Sequence, residues 1–162
     1  APTSVVWAGI APVPGGGRRV TSHWTTGGEP VPFVPFVGDW EPACDLPTYR
    51  SHYELSLTRH LEEAVRAAIP AERIAGDVVL VAGEDDQVWP AADFARALVA
   101  RRAEHGVDTT LVVHPEAGHR VVLPGEAPVR RGQAMARGGS DDADAALGTS
   151  AWPHLKRVLR LR

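Results

Sequence analysis

Two unbroken apolar runs organise the chain: Val78-Val79-Leu80-Val81-Ala82, stopped by Gly83, and Thr109-Thr110-Leu111-Val112-Val113. Runs of this length without polar alternation suit strands buried on both faces of a parallel sheet. Ser4-Val5-Val6-Trp7-Ala8, ended by Gly9, has the same pattern and predicts a first strand. Helical spacing follows at Tyr53, Leu57, Leu61, Ala64, Val65 and Ala68, which predicts a helix from Tyr49 to Ile69, just before Pro70. Pro90 suits the first turn of a helix carrying Phe94, Ala97, Leu98 and Arg101 to His105, with Gly106 as its C-cap. Ser140, followed by Asp141 and Asp142, predicts the N-cap and acidic first turn of a last helix. Its inward residues would be Leu147, Trp152, Leu155, Val158 and Leu159. Pro153 falls inside that pattern and predicts a kink or break near Trp152, because an interior proline costs about 3 kcal/mol.

The resulting order is strand, long loop, helix, strand, helix, strand, helix. Parallel strands alternating with helices define an α/β class. Three strands are few for such a sheet, so the expectation for residues 1–162 is one domain that forms only part of a larger fold. The loop, from Pro12 to Pro47, is inferred from composition. Of 16 Gly and 14 Pro residues, half fall within the first 50 positions. A loop of this length is uncommon in a compact domain, and with Trp24, Phe33, Phe36 and Trp40 in it, it is expected to pack as a lid or cap.

Charge and cysteine usage narrow the function classes. Seventeen Lys and Arg against 20 Asp and Glu leave a net charge of −3, without the basic excess of a nucleic-acid partner. No apolar run approaches the roughly 18 residues of a membrane span. The single cysteine, Cys44, excludes an internal disulfide and a four-cysteine zinc site, and it suggests a cytoplasmic protein. The start lacks both a signal-peptide pattern and a methionine, the only Met being Met135, so position 1 is read as a processed or cut end. No cofactor and no metal are expected.

In open α/β sheets the working groups sit just past the carboxyl ends of the strands. Two loops qualify: Gly83-Glu84-Asp85-Asp86-Gln87-Val88-Trp89-Pro90 and His114-Pro115-Glu116-Ala117-Gly118-His119-Arg120. The first offers an acid and the second a histidine. A carboxylate that accepts the Nδ1 hydrogen of an imidazole leaves Nε2 free to take a proton from a nucleophile. Asp86 and His119 are separated by one helix and one strand, which fits neighbouring loops. Acid before histidine is also the order of the last two members of an α/β-hydrolase triad, whose nucleophile lies upstream on a G-x-S-x-G elbow. Neither Gly148-Thr149-Ser150-Ala151-Trp152 nor Gly138-Gly139-Ser140-Asp141-Asp142 completes that elbow.

These loops resemble the C-terminal region of acyl-CoA thioester hydrolases and bile acid-CoA:amino acid N-acyltransferases. The resemblance rests on Val81 to Pro90, on Pro115-Glu116-Ala117-Gly118-His119 with Leu123-Pro124 after it, and on the Ala-rich end with Ala151-Trp152. It extends forward to Ser22-His23-Trp24 and Gly28-Glu29-Pro30-Val31-Pro32. The resemblance implies the C-terminal half of an α/β-hydrolase fold, an acyl-CoA or related thioester substrate, Asp86 as triad acid and His119 as triad base. It further implies a Ser or Cys nucleophile, and oxyanion donors, upstream of Ala1.

Alternatives stay open beside this reading. Asp86 and His119 can be a helix-capping carboxylate and a satisfied loop histidine, and Asp85 is a rival acid. Cys44 lacks the flanking glycines of a nucleophile. His52, His60 and His114 read as packing or surface residues. Arg18, Arg19, Arg130, Arg131 and Arg137 either meet CoA phosphates or stay solvated. The aromatic residues of the long loop either line an acyl pocket or pin the loop to the core. Another hydrolase, such as a dienelactone hydrolase-like esterase acting on an ester, is the enzyme alternative. A non-catalytic interaction module is the alternative of a different class, with self-association through an exposed sheet edge.

Overall fold

A computed structural model describes residues 1–130 and 132–161. They divide into two compact units. One comprises Ala1–Thr3, Pro42–Arg50 and Pro70–Arg162, and the other Ser4–Glu41 and Ser51–Ile69.

In the first unit, strands β5 (Val79–Gly83) and β6 (Thr110–His114) pair in parallel, with Val79 opposite Thr110 and Gly83 opposite His114. Helix α3 (Ala91–Glu104) connects them, and helix α4 (Asp141–Leu159) follows. Alternation along the strands assigns the two faces. Leu80, Ala82 and Leu111 pack with Ala91, Ala92 and Ala95 of α3, whereas Val81 and Val112 pack with Ala143 and Leu147 of α4. Each strand therefore needs apolar side chains in both directions, which is why its sequence shows no polar alternation. This is the expected α/β arrangement of parallel strands and helices.

Both helix ends in this unit follow the sequence signals. Gly106, just beyond α3, has φ +69°, and Ser140 Oγ accepts the Ala143 N–H at 3.2 Å to cap α4. Two details differ from expectation. Leu159 is exposed rather than inward, and α4 continues through Pro153 without a break. Pro153 lies on the solvent side, as does Thr149, whose carbonyl would otherwise receive the missing N–H. Water can satisfy that carbonyl, so the helix survives.

The second unit corrects the reading of the N-terminal third. The expected strand at Ser4–Ala8 is reduced to single bridges from Val5 to Ala68 and from Trp7 to Val34. The first strand, β1 (Ala8–Pro12), pairs antiparallel with β2 (Arg18–Ser22), and β3 (Thr25–Thr26) with β4 (Glu29–Pro30). The stretch from Pro12 to Pro47 thus contains the turn and second strand of a hairpin and a short ribbon rather than one continuous loop. Gly15, Gly16 and Gly17, all at positive φ, provide the reversal between β1 and β2. Helices α1 (Arg50–Arg59) and α2 (Leu61–Arg66) replace the single predicted helix, with His60 between them. The core of this unit is Val5, Trp7, Val34 and Val37, with Phe36 stacked on Trp7 at 5.1 Å and Tyr53 edge-on to both. Of the aromatic set in the predicted loop, Phe36 and Trp40 pack against neighbours, while Trp24 is 65% exposed.

Candidate functional site

The parallel register brings the two chemistry-bearing loops together. Gly83 and His114 end their strands side by side, and the loops that follow are tied by Glu84 N–H to the His114 carbonyl (3.1 Å) and Asp85 N–H to the Ala117 carbonyl (3.0 Å). Three residues beyond Gly83 stands Asp86, fully buried. Its Oδ1 accepts the N–H groups of Val88 (2.8 Å) and Trp89 (3.2 Å), which fixes the carboxylate plane. Its Oδ2 lies 2.9 Å from His119 Nδ1. One oxygen of Asp86 thus closes the turn ahead of α3, whose N-cap is Pro90 without a side-chain cap, and the other pairs with His119.

In the tautomer that carries its hydrogen on Nδ1, the ring donates to this carboxylate and Nε2 is the acceptor. The His119 side chain is 26% exposed, so the ring is not sealed into the core. The Trp89 ring meets it edge-on at 5.4 Å, and the His119 N–H donates to the Arg137 carbonyl at 2.9 Å. Below the acid, Arg50 donates to the Glu84 carbonyl at 2.8 Å and pairs with Asp93. A buried carboxylate thus meets a backbone-held imidazole that is itself partly exposed.

Residues 47–160 match the model of the family described as BAAT / Acyl-CoA thioester hydrolase C terminal. The chain belongs to that family. No curated protein matches it. Within the BAAT / acyl-CoA thioester hydrolase C-terminal region, the matched span takes in both Asp86 and His119, but not Ser22-His23-Trp24 or Gly28 to Pro32, to which the sequence resemblance extends. The family implies a hydrolase-like fold, which the parallel β5 and β6 between two helices accommodate.

The other candidates are placed as follows. Asp85 points away from His119: its Oδ1 accepts from Gln87 Nε2 (2.7 Å) and its Oδ2 from the Gly139 N–H (2.8 Å). His114 Nδ1 accepts the Glu116 N–H at 3.2 Å, a turn-forming contact. His52 bonds the Val37 carbonyl through Nε2 and stacks on Trp40 at 4.5 Å. His60 lies 3.9 Å from Glu63. Cys44 is exposed and donates to the Leu46 carbonyl. Arg18 and Arg19 are exposed on β2, Arg130 pairs with Asp141, and Arg131 lies outside the described residues. Among the described residues, no group of three or more His, Cys, Asp or Glu could hold a metal ion, and no helix is long and apolar enough to cross a membrane.

Sequence reasoning passed over Trp89 and Asp144, and considered Arg137 only as a side chain that meets CoA phosphates or stays solvated. Arg137 acts through its backbone carbonyl, which no side-chain pattern encodes. A usable signal for that region was the Gly138-Gly139 pair, since adjacent glycines mark close backbone approach.

Proposed function

We propose that this chain supplies the acid and base of a Ser/Cys-His-Asp triad that cleaves acyl-CoA thioesters. Asp86 orients and stabilises the imidazolium of His119, and His119 is the general base and acid. The observation that carries the reading is the 2.9 Å contact between Asp86 Oδ2 and His119 Nδ1 at the carboxyl ends of two parallel strands, in a chain of the thioester hydrolase family. The nucleophile and oxyanion donors belong to a segment outside these 162 residues.

His119 Nε2 takes the proton of the nucleophile as its oxygen or sulfur bonds to the thioester carbonyl carbon. Collapse of the tetrahedral intermediate breaks the C–S bond, and the same proton passes from His119 to the departing CoA sulfur. Water or an amine, deprotonated by His119, then releases the acyl group and restores the nucleophile. The imidazolium that forms next to Asp86 is stabilised by the charge-assisted bond between them. The setting of this chemistry is the cytoplasm.

The test is release of CoA thiol from palmitoyl-CoA by the polypeptide its gene encodes, with and without His119→Ala. The reading expects release that falls by on the order of 10³-fold or more in the variant. Release that persists in His119→Ala overturns it. Cleavage of simple esters but not thioesters would favour the esterase alternative, and no cleavage of either by the unmodified protein would favour the interaction module.

A further inference from the structure

The residue before His119 is tethered from another element. The Gly118 N–H donates to Asp144 Oδ1 at 2.8 Å, and Asp144 lies in the first turn of α4, 26 positions further along the chain. Next to this contact, the Arg137 carbonyl accepts the N–H groups of both His119 (2.9 Å) and Gln87 (3.3 Å), while Asp85 Oδ2 accepts the Gly139 N–H. Acid loop and histidine loop are thus fastened to one short segment, 137–139. The approach is possible only without side chains: a Cβ at Gly118 would overlap the Gly138 carbonyl, and one at Gly138 would overlap the Asp85 carbonyl oxygen.

We propose that Asp144 is a positioning residue for His119, acting through the Gly118 N–H. The inference rests on the acid–base roles assigned above to Asp86 and His119. Helix capping does not explain Asp144, because Ser140 already fills that place on α4. Nor is the location a comfortable one for a carboxylate. Burial pushes its pKa above the ordinary carboxylate range, and the charges of Asp141, Asp86 and Asp85 add to the effect, opposed by the Gly118 N–H. Arg120 and Arg137 line the same pocket of about 140 Å³ as Asp144 and Asp141. The N–H it accepts gives this carboxylate its purpose. Fixing the Gly118 amide fixes the backbone from which the His119 ring reaches Asp86, and a 1 Å misplacement of a catalytic group can cost about 10²-fold in rate.

The experiment uses proton–nitrogen NMR on the 162-residue chain, reading the Gly118 amide and the downfield Nδ1 proton of His119, together with kcat and KM of the gene-encoded polypeptide. Asp144→Ala should lose the downfield His119 signal and lower kcat about 10²-fold with KM unchanged. Asp144→Asn keeps an acceptor oxygen and should retain both. In the unsubstituted chain, the Gly118 amide shift should follow the protonation of Asp144 on acidification, a reading that needs no variant to fold. A folded Asp144→Ala with wild-type His119 signal and kcat would overturn the proposal, as would a Gly118 amide indifferent to Asp144. If Asp144→Ala loses the signal while His119→Ala still releases CoA, the tether stands and the catalytic reading is what fails.

Discussion

His119 and Asp86, 33 positions apart in sequence, are joined by a 2.9 Å bond because Gly83 and His114 are register partners at the ends of β5 and β6. Each residue needs only a short loop to reach the other once those strands are paired. The geometry of the pair is therefore inherited from the sheet, and whatever loosens β5, β6 or the helices that cover them loosens the site.

Arg102 is one such support. It is 1% exposed, yet its guanidinium donates to the Thr109 hydroxyl (2.7 Å) and to the carbonyls of Ala71 (2.6 Å), Ile74 (3.2 Å) and Asp108 (3.2 Å). It joins the C-terminal turn of α3 to the segments leading into both strands. Arg102→Leu leaves these acceptors without their donor, at roughly 1–3 kcal/mol for one that is buried, as the Ala71 carbonyl is. We expect a loss of about 3 kcal/mol, read as a lower urea midpoint at unchanged slope.

Glu72 and Arg101 tie the short turn at Ala71–Arg73 to α3, with Arg101 Nη2 at 3.1 Å from Oε1 and a second contact from Nε. The Arg101 guanidinium holds the Glu72 pKa at about 2. An unfolded Glu titrates near pH 4.3. A carboxylate depressed on folding stabilises above its unfolded pKa, and that contribution disappears as pH falls through the folded value. The unsubstituted chain should therefore be more stable than Glu72→Gln at pH 5 and above, with the two denaturation midpoints converging toward pH 2. The gap at pH 7 should also narrow in molar salt.

Pro153 offers a gain rather than a loss. Alanine there restores an N–H for the Thr149 carbonyl inside α4 and removes the ring's steric conflict. Since Pro153 is exposed, no packing is given up. Pro153→Ala should raise stability by about 1–3 kcal/mol, seen as a higher melting temperature. An unchanged or lower value would show that α4 tolerates the proline without strain.

Much of the first unit was legible because its strands are covered on both sides. Val78 to Ala82 and Thr109 to Val113 stand out in the sequence since both faces must be apolar, and the loops after them then had to hold the polar chemistry. The β1–β2 hairpin left no comparable mark. Ile10 and Val20, register partners, are 68% and 65% exposed, so no buried face imposes an alternation. Pro153 misled because its cost depends on whether the orphaned carbonyl meets water, a property of the packed helix. Asp144 was hidden among the acids of a helix start, where its partner, a backbone amide on another loop, has no residue type of its own.

On the proposed reading, Asp86 holds His119 in the tautomer that acts as base. The Asp86→Asn variant separates that role from folding, because asparagine keeps the shape and an acceptor for Val88 and Trp89 but cannot stabilise an imidazolium. We predict that kcat for CoA release from palmitoyl-CoA falls by on the order of 10³- to 10⁴-fold at pH 8, with the thermal midpoint close to that of the unsubstituted protein. An Asp86→Asn protein that is folded and turns over at the wild-type rate would contradict it.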